Sequence, residues 1–279
     1  MSEQAARMQC MEVWGGNERT DAVVTATGLD LWVHSRPHGD ATGGGDVYYV
    51  SSCASGRITR LLVADVMGHG HAVSDEAVRL RGLMRRYVNY VNQARFVGAM
   101  NRDFKDVNSP GGFATAVVAT FFLPTRTLTL HNAGHPPPLL FRAAERTWAT
   151  LGADWVRGRT NVPLGVIGDA SFKPVSVRLL PKDLLLCYTD SLIEGESRSG
   201  EVLGVDGLLQ LVRGLDPSDP GRFQAALLAA SADLHGPAGD DLTVLLATPN
   251  DQRPSTWDNL AAPYRTLRHV FAPTAGRWR

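Results

Sequence analysis

Acids stand against apolar runs at four separate places in the 279-residue sequence. Asp46 lies between Gly43-Gly44-Gly45 and the run Val47-Tyr48-Tyr49-Val50; Asp65 closes "LLVA"; Asp190 closes "LLLCYT"; Asp240 and Asp241 open "LTVLLAT". Runs rich in β-branched, aromatic and aliphatic residues read as strands, so each acid falls at a strand edge. A carboxylate at the end of a core strand needs water, a cap or a cation, because an unpaired buried charge is costly. Alone, each has two readings, a turn or capping residue and a site residue; for Asp46 the bland one is an Asp that bonds its own backbone in a glycine turn. Together, acids at several strand ends can converge on one rim of a sheet sandwich. That gives an oxygen-only site suited to Mg²⁺ or Mn²⁺.

Zinc would call for histidine or cysteine. His69 and His71, and His131 and His135, form two close pairs, but His-x-His among glycines lacks the glutamate of a metalloprotease helix. His69 reads as a turn residue and His135, in "NAGHPPPLLF", as part of a rigid hairpin. Arg36 and Arg57 are candidate phosphate contacts by charge alone. Cys10, Cys53 and Cys187 are odd in number and widely spaced, which argues against a disulfide framework and fits a reducing cytoplasm.

The elements that must carry these residues follow from periodicity. Strand-like runs occupy Leu29–Arg36, Asp46–Ser52 and Ile58–Val66, the last two flanking the hairpin "SCASGR". From His71 apolar residues recur at helical steps as far as Val91, and "ARFVGAMNRDFKDV" continues as a second helix until "SPGG" breaks it. A second block of strands follows: "FATAVVATFFL", "TLTLHNAG", "PPLLFRA", "PVSVRLL" and "DLLLCYTD". Helices at "VDGLLQLVRGL" and "RFQAALLAASADLH" precede the closing strand. Segregated blocks of this kind indicate α+β layering with mainly antiparallel sheets. After Pro249 the composition shifts to a tail with several prolines and arginines.

Lys plus Arg and Asp plus Glu number 28 each, so no global field favours nucleic acid or an anionic membrane. No stretch of about 18 apolar residues occurs, and the first residues lack a basic segment before an apolar core. A soluble, cytoplasmic protein without nucleic-acid or membrane partners is expected.

In order along the chain, "GGGDVYYV", "LLVADVMGHGH", "FATAVVATFFLPTRTLTLHNAGHPPPLLFR", "PLGV", "LLLCYTDSLIEGE" and "GDDLTVLLA" resemble the successive motifs of the SpoIIE-type branch of the metal-dependent serine/threonine protein phosphatases. Gly-Gly-Asp is shared with diguanylate cyclases, but those want Glu-Phe after the acid. The resemblance runs from about Gly28 to Thr248. It implies an α+β fold, a four-layer α-β-β-α sandwich with two central antiparallel sheets, and divides the chain into an extension (1–27), a phosphatase domain (28–249) and a tail (250–279).

The resemblance also implies two Mn²⁺ or Mg²⁺ ions held by Asp46, Asp65, Asp190, Asp240 and the backbone carbonyl of Val66. Asp241 stands where many relatives have Asn, and the sequence does not separate it from Asp240 as a ligand. In such enzymes a water bridging the ions attacks phosphorus, and the amides at the start of the helix after Gly70 face the phosphate. The implied substrate is a phosphoserine or phosphothreonine protein such as an anti-sigma-factor antagonist in bacterial partner-switching. No sensor domain precedes the motifs, so a separate regulatory protein is expected. Two departures stand out: Tyr49 where a second acid is usual, and Ser191 where glycine usually follows the acid. A phosphatase-fold module that only binds a phosphoprotein is the alternative to an enzyme.

Overall fold

The computed structural model describes residues 6–8, 13–53, 56–68, 71–88, 90, 92–108, 111–152, 162–195, 202–235 and 239–254. Two sheets lie at its centre. In spatial order the first contains β1 (Ala6–Arg7), β3 (Thr20–Ala26), β4 (Leu29–Arg36), β13 (Leu242–Pro249), β12 (Leu184–Tyr188), β9 (Leu139–Arg142) and β10 (Thr147–Thr150). The second contains β11 (Pro174–Arg178), β8 (Thr127–Ala133), β7 (Ala114–Phe122), β6 (Ile58–Val66), β5 (Gly43–Cys53) and β2 (Val13–Glu18). Among the described pairings only β1 with β3 is parallel.

Period-two alternation decides which face each side chain takes. In β4, Leu29, Leu31 and Val33 point between the sheets, where they meet Tyr48 and Val50 of β5 and Leu61 and Val63 of β6. The other face of the second sheet, with Val47, Tyr49, Leu62 and Ala64, is covered by α1 (His71–Tyr87) and α2 (Gln93–Val107). The outer face of the first sheet, with Leu184, Leu186, Val244 and Leu246, is covered by α4 (Gly204–Arg213) and α5 (Pro220–His235). Three apolar clusters therefore join four layers, the α-β-β-α sandwich that the motif order implied.

Local chemistry sets the element ends. Asn92 caps α2, its side chain accepting from the Arg95 amide at 3.0 Å. Helix α1 stops at Tyr87, short of Val91, and the carbonyls just past its end, of Val88 and Tyr90, accept from the guanidinium of Arg60. The segment read as an extension before Gly28 carries β2 and β3, paired members of the two sheets. Its glycines masked β2 as a strand signal. They have a packing reason: a Cβ on Gly15 would lie 2.3 Å from the Tyr48 carbonyl oxygen.

Candidate functional site

The three glycines before Asp46 form extended strand, the first residues of β5, rather than a turn. Asp46 is thus inside the strand and directly opposite Asp65 on β6. Strand parity points both side chains between the sheets, in line with Tyr48 and Val50 and with Leu61 and Val63. Asp46 is buried, and its Oδ2 accepts from Thr189 Oγ1 at 2.7 Å, a bond that crosses from one sheet to the other. Burial, then the charge of Asp65, holds the Asp46 carboxyl well above the ordinary carboxylate range. Burial, followed by the charges of Asp190, Asp240 and Asp241, pushes Asp65 up to about 8.

The opposing acids come from the first sheet. Asp190 follows β12 by two residues and precedes the short helix α3 (Ser191–Glu194). Its pKa is raised by burial, then by Glu194 and Asp240. Asp240 is exposed, and one oxygen accepts from the Asp241 amide at 2.7 Å. Asp241 is buried, its Oδ1 accepting from the His38 amide at 2.6 Å and its Oδ2 from the Gly45 amide at 2.5 Å. A Cβ on Gly44 would lie 2.4 Å from the Asp241 carboxylate, so the glycine makes room for this contact. Ser191 turns its hydroxyl to the Asp241 carbonyl oxygen.

Two sheets thus present a group of acids at one rim, and none of the ion pairs between described residues involves them. Among the described residues no three His, Cys, Asp or Glu side chains are close enough to share a single ion. Such spacing suits hard cations that keep most of their waters and take one or two carboxylates each. The donor set is all oxygen, and burial, followed by the charge of neighbouring acids, raises the pKa of Asp46, Asp65 and Asp190. These residues therefore fit Mg²⁺ or Mn²⁺, and among the described side chains the group gives zinc no imidazole or thiolate. The Val66 carbonyl oxygen sits near the same rim, where a Cβ on Gly45 would approach it to 2.8 Å.

The remaining sequence candidates divide. His69 and Gly70 lie outside the described residues; the helix whose first amides were expected to face phosphate begins at His71. Arg36 ends β4 opposite Leu242, at the acidic rim, whereas Arg57 sits at the far end of the β5–β6 hairpin, about 27 Å from Asp65 at ~3.4 Å per residue. Arg57 is thus no partner for a phosphate at the acids. His135 is structural: one ring nitrogen bonds the Tyr188 carbonyl oxygen at 2.9 Å and the other Thr115 Oγ1 at 2.8 Å. Tyr49 is one strand position out of phase with Asp46 and packs against the helices, so an acid there would not have joined this group. Sequence reasoning missed Thr189, next to Asp190 in "YTDS", and Glu194, one helical turn beyond it.

A family model described as stage II sporulation protein E (SpoIIE) matches residues 55–250. No curated protein sequence matches. Among solved structures, the RsbU and RsbW domains of Rv1364c from Mycobacterium tuberculosis superpose with a TM-score of 0.68 at 23% identity, covering 97% of this chain and 73% of that one. The PP2C phosphatase domain and a regulatory fragment of SpoIIE from Bacillus subtilis give 0.65 at 17%, covering 86% and 64%. RsbX in complex with magnesium gives 0.62 at 14%, covering 83% and 100%.

Proposed function

The chain belongs to the SpoIIE family, and from that premise we propose that it is a metal-dependent protein serine/threonine phosphatase. The observation that carries the reading is the Asp46–Asp65 pair, Asp46 buried and Asp65 half-buried between the sheets, with Asp190 and Asp240 facing Asp65 from the opposite sheet. Asp46, Asp65, Asp190, Asp240 and the Val66 carbonyl would hold two divalent cations, magnesium being the ion found with the structurally similar RsbX. When bound, such ions supply an activated water and neutralise charge on the phosphoryl oxygens.

The chain's own residues do the positioning. Thr189 fixes one oxygen of Asp46 from the opposite sheet. Asp241, with both oxygens taken by backbone amides, pins His38 and Gly45 to the start of β13 and acts as a strut. The proposed substrate is a phosphoserine or phosphothreonine protein of a partner-switching system, such as an anti-sigma-factor antagonist, and the proposed compartment is the cytoplasm. No described helix is long and apolar enough to cross a membrane.

Hydrolysis of p-nitrophenyl phosphate and of a phosphoserine peptide, with and without Mn²⁺, tests the reading. Metal-dependent turnover is expected, falling about a thousandfold in Asp65→Asn because several kcal/mol of charge stabilisation is lost. Wild-type turnover in that variant would overturn the site. Phosphopeptide binding without turnover in the metal-loaded wild type would replace the enzyme with a binding module.

A further inference from the structure

Three short runs of chain lie side by side at the acidic end of the second sheet. Met67, the residue after β6, donates its amide to the Phe113 carbonyl at 3.0 Å, and Ala114 exchanges amide-to-carbonyl bonds of 3.0 and 2.7 Å with Leu164. Leu164 thus extends the Val66–Ala114 pairing by a third chain, one residue along from Asp65 opposite Thr115. Two strand spacings of about 4.8 Å separate Leu164 from β6, so it lies about 10 Å from the end of the strand that carries Asp65. The residues that follow are apolar and open to water: Val166 is 47% exposed and Ile167 45%, while Met67, across the same pairing, is 47% exposed.

Two aliphatic side chains at a loop tip gain no stability from facing water. The backbone beneath them is nevertheless held firmly. Asn101 of α2, fully buried, accepts from the Gly165 amide at 2.9 Å and donates to the carbonyls of Ile167 at 2.8 Å and Gly168 at 3.0 Å. The Ala170 amide closes on the Ile167 carbonyl at 3.1 Å, and Leu164 is fully buried. Gly165 takes a left-handed φ of 89°, and a Cβ there would lie 3.2 Å from the Phe104 ring, so the turn that leads to Val166 calls for glycine. One buried amide side chain therefore holds the loop in place before any ligand arrives.

We propose that Val166 and Ile167, with Met67, form a docking surface for the phosphoprotein substrate and take an apolar side chain about three residues from the phosphorylated serine or threonine. This rests on the phosphatase reading, which brings the phosphoryl group to the acids at the rim. An extended chain advances ~3.4 Å per residue, so the separation of about 10 Å is spanned by three residues, and a substrate chain running from the acids past Phe113 sets its third neighbour on this loop. An aliphatic pair offers neither charge nor a hydrogen bond, so what it selects is another apolar side chain that shares its burial. A small aryl phosphate ends well short of the loop and is blind to it.

Initial rates of the full chain with Mn²⁺ on p-nitrophenyl phosphate and on two phosphoserine peptides test this. The peptides differ only at the third residue to either side of the phosphoserine, leucine in one and serine in the other. The wild type is expected to favour the leucine peptide by about fivefold or more in kcat/KM, and to do so through KM, because the added contact is made equally in the bound complex and in the transition state. Val166→Ser with Ile167→Ser should remove that preference while turnover of p-nitrophenyl phosphate and the melting temperature stay at wild-type values, since both side chains are exposed. Equal kcat/KM for the two peptides in the wild type, or a leucine preference that survives in the double variant, would overturn the docking surface and leave the phosphatase reading standing on p-nitrophenyl phosphate. Absence of metal-dependent turnover of p-nitrophenyl phosphate in the wild type would overturn that reading and this inference with it. Sedimentation that shows wild-type dimers and a monomeric double variant would overturn the substrate's claim to this face and assign it to a second copy of the chain.

Discussion

Asp240 is exposed while its neighbour Asp241 is buried with both oxygens occupied by backbone amides. The sequence left the two unresolved, because the groups that occupy Asp241 belong to residues about two hundred positions earlier. With the pair separated by geometry, substitution should separate it by effect. Asp240→Asn should abolish metal-dependent turnover with little change in folding, since it removes charge from an exposed side chain. Asp241→Asn can keep only one of its two backbone bonds, which costs about 1–3 kcal/mol for the amide left unpaired. It should lower the urea midpoint while keeping measurable affinity for Mn²⁺. Metal titration and urea unfolding of the two variants check this; the opposite pattern would make Asp241 the ligand. Thr189 was equally hidden from sequence reading, as a threonine before a strand-end acid carries no signal until the other sheet brings Asp46 to it.

At the level of elements, most strands and helices were legible because apolar periodicity fixes both type and facing. The glycine-centred β2 and the glycine-rich start of β5 were not, because glycine weakens the strand signal where a close neighbour requires it. The register opposing Asp46 and Asp65 was also out of reach. It depends on the length of the β5–β6 turn. Arg60 is a further case. This β6 residue is fully buried on the helix-facing side, with its guanidinium 4.8 Å from the centre of the Phe96 ring and bonded to the Val88 and Tyr90 carbonyls. Burial lowers its pKa, and its bonds join the second sheet to the α1–α2 connection. Arg60→Met should destabilise the protein by about 2–4 kcal/mol by leaving two carbonyls without their donor. Arg60→Lys should recover only part, since one ammonium lacks the fork that spans both. Urea unfolding measures both; an unchanged midpoint in Arg60→Met would remove the role assigned to this bridge.

For the whole molecule, stability and the carboxylate rim are linked through pH. The ordinary Asp value of 3.8 is raised to about 8 at Asp65, so the fold favours the protonated acid. That contribution is full below the unfolded value and is lost as pH rises through about 8. Asp46 and Asp190 shift in the same direction. His131 and His135 act oppositely, burial lowering each from 6.5 to about 4, so their contribution is full above 6.5 and lost as pH falls toward 4. Between pH 6.5 and 8 His131 and His135 are neutral in the fold and their contribution changes little, so the carboxylates dominate. The metal-free melting temperature should therefore fall across that interval. A divalent cation that binds the ionised rim should oppose the fall, raising the melting temperature by about 5–10 °C at pH 8 when present at a hundredfold excess over its Kd. The gain should be smaller at pH 6.5, where protons compete for the same oxygens, and Asp65→Asn in chelator should lose less stability over the interval than wild type. Thermal scans of both proteins with Mg²⁺, Mn²⁺ and chelator at the two pH values decide the matter. A metal-free melting temperature that is flat from pH 6.5 to 8, or a metal gain equal at both, would mean that these acids do not enter the fold in need of a cation.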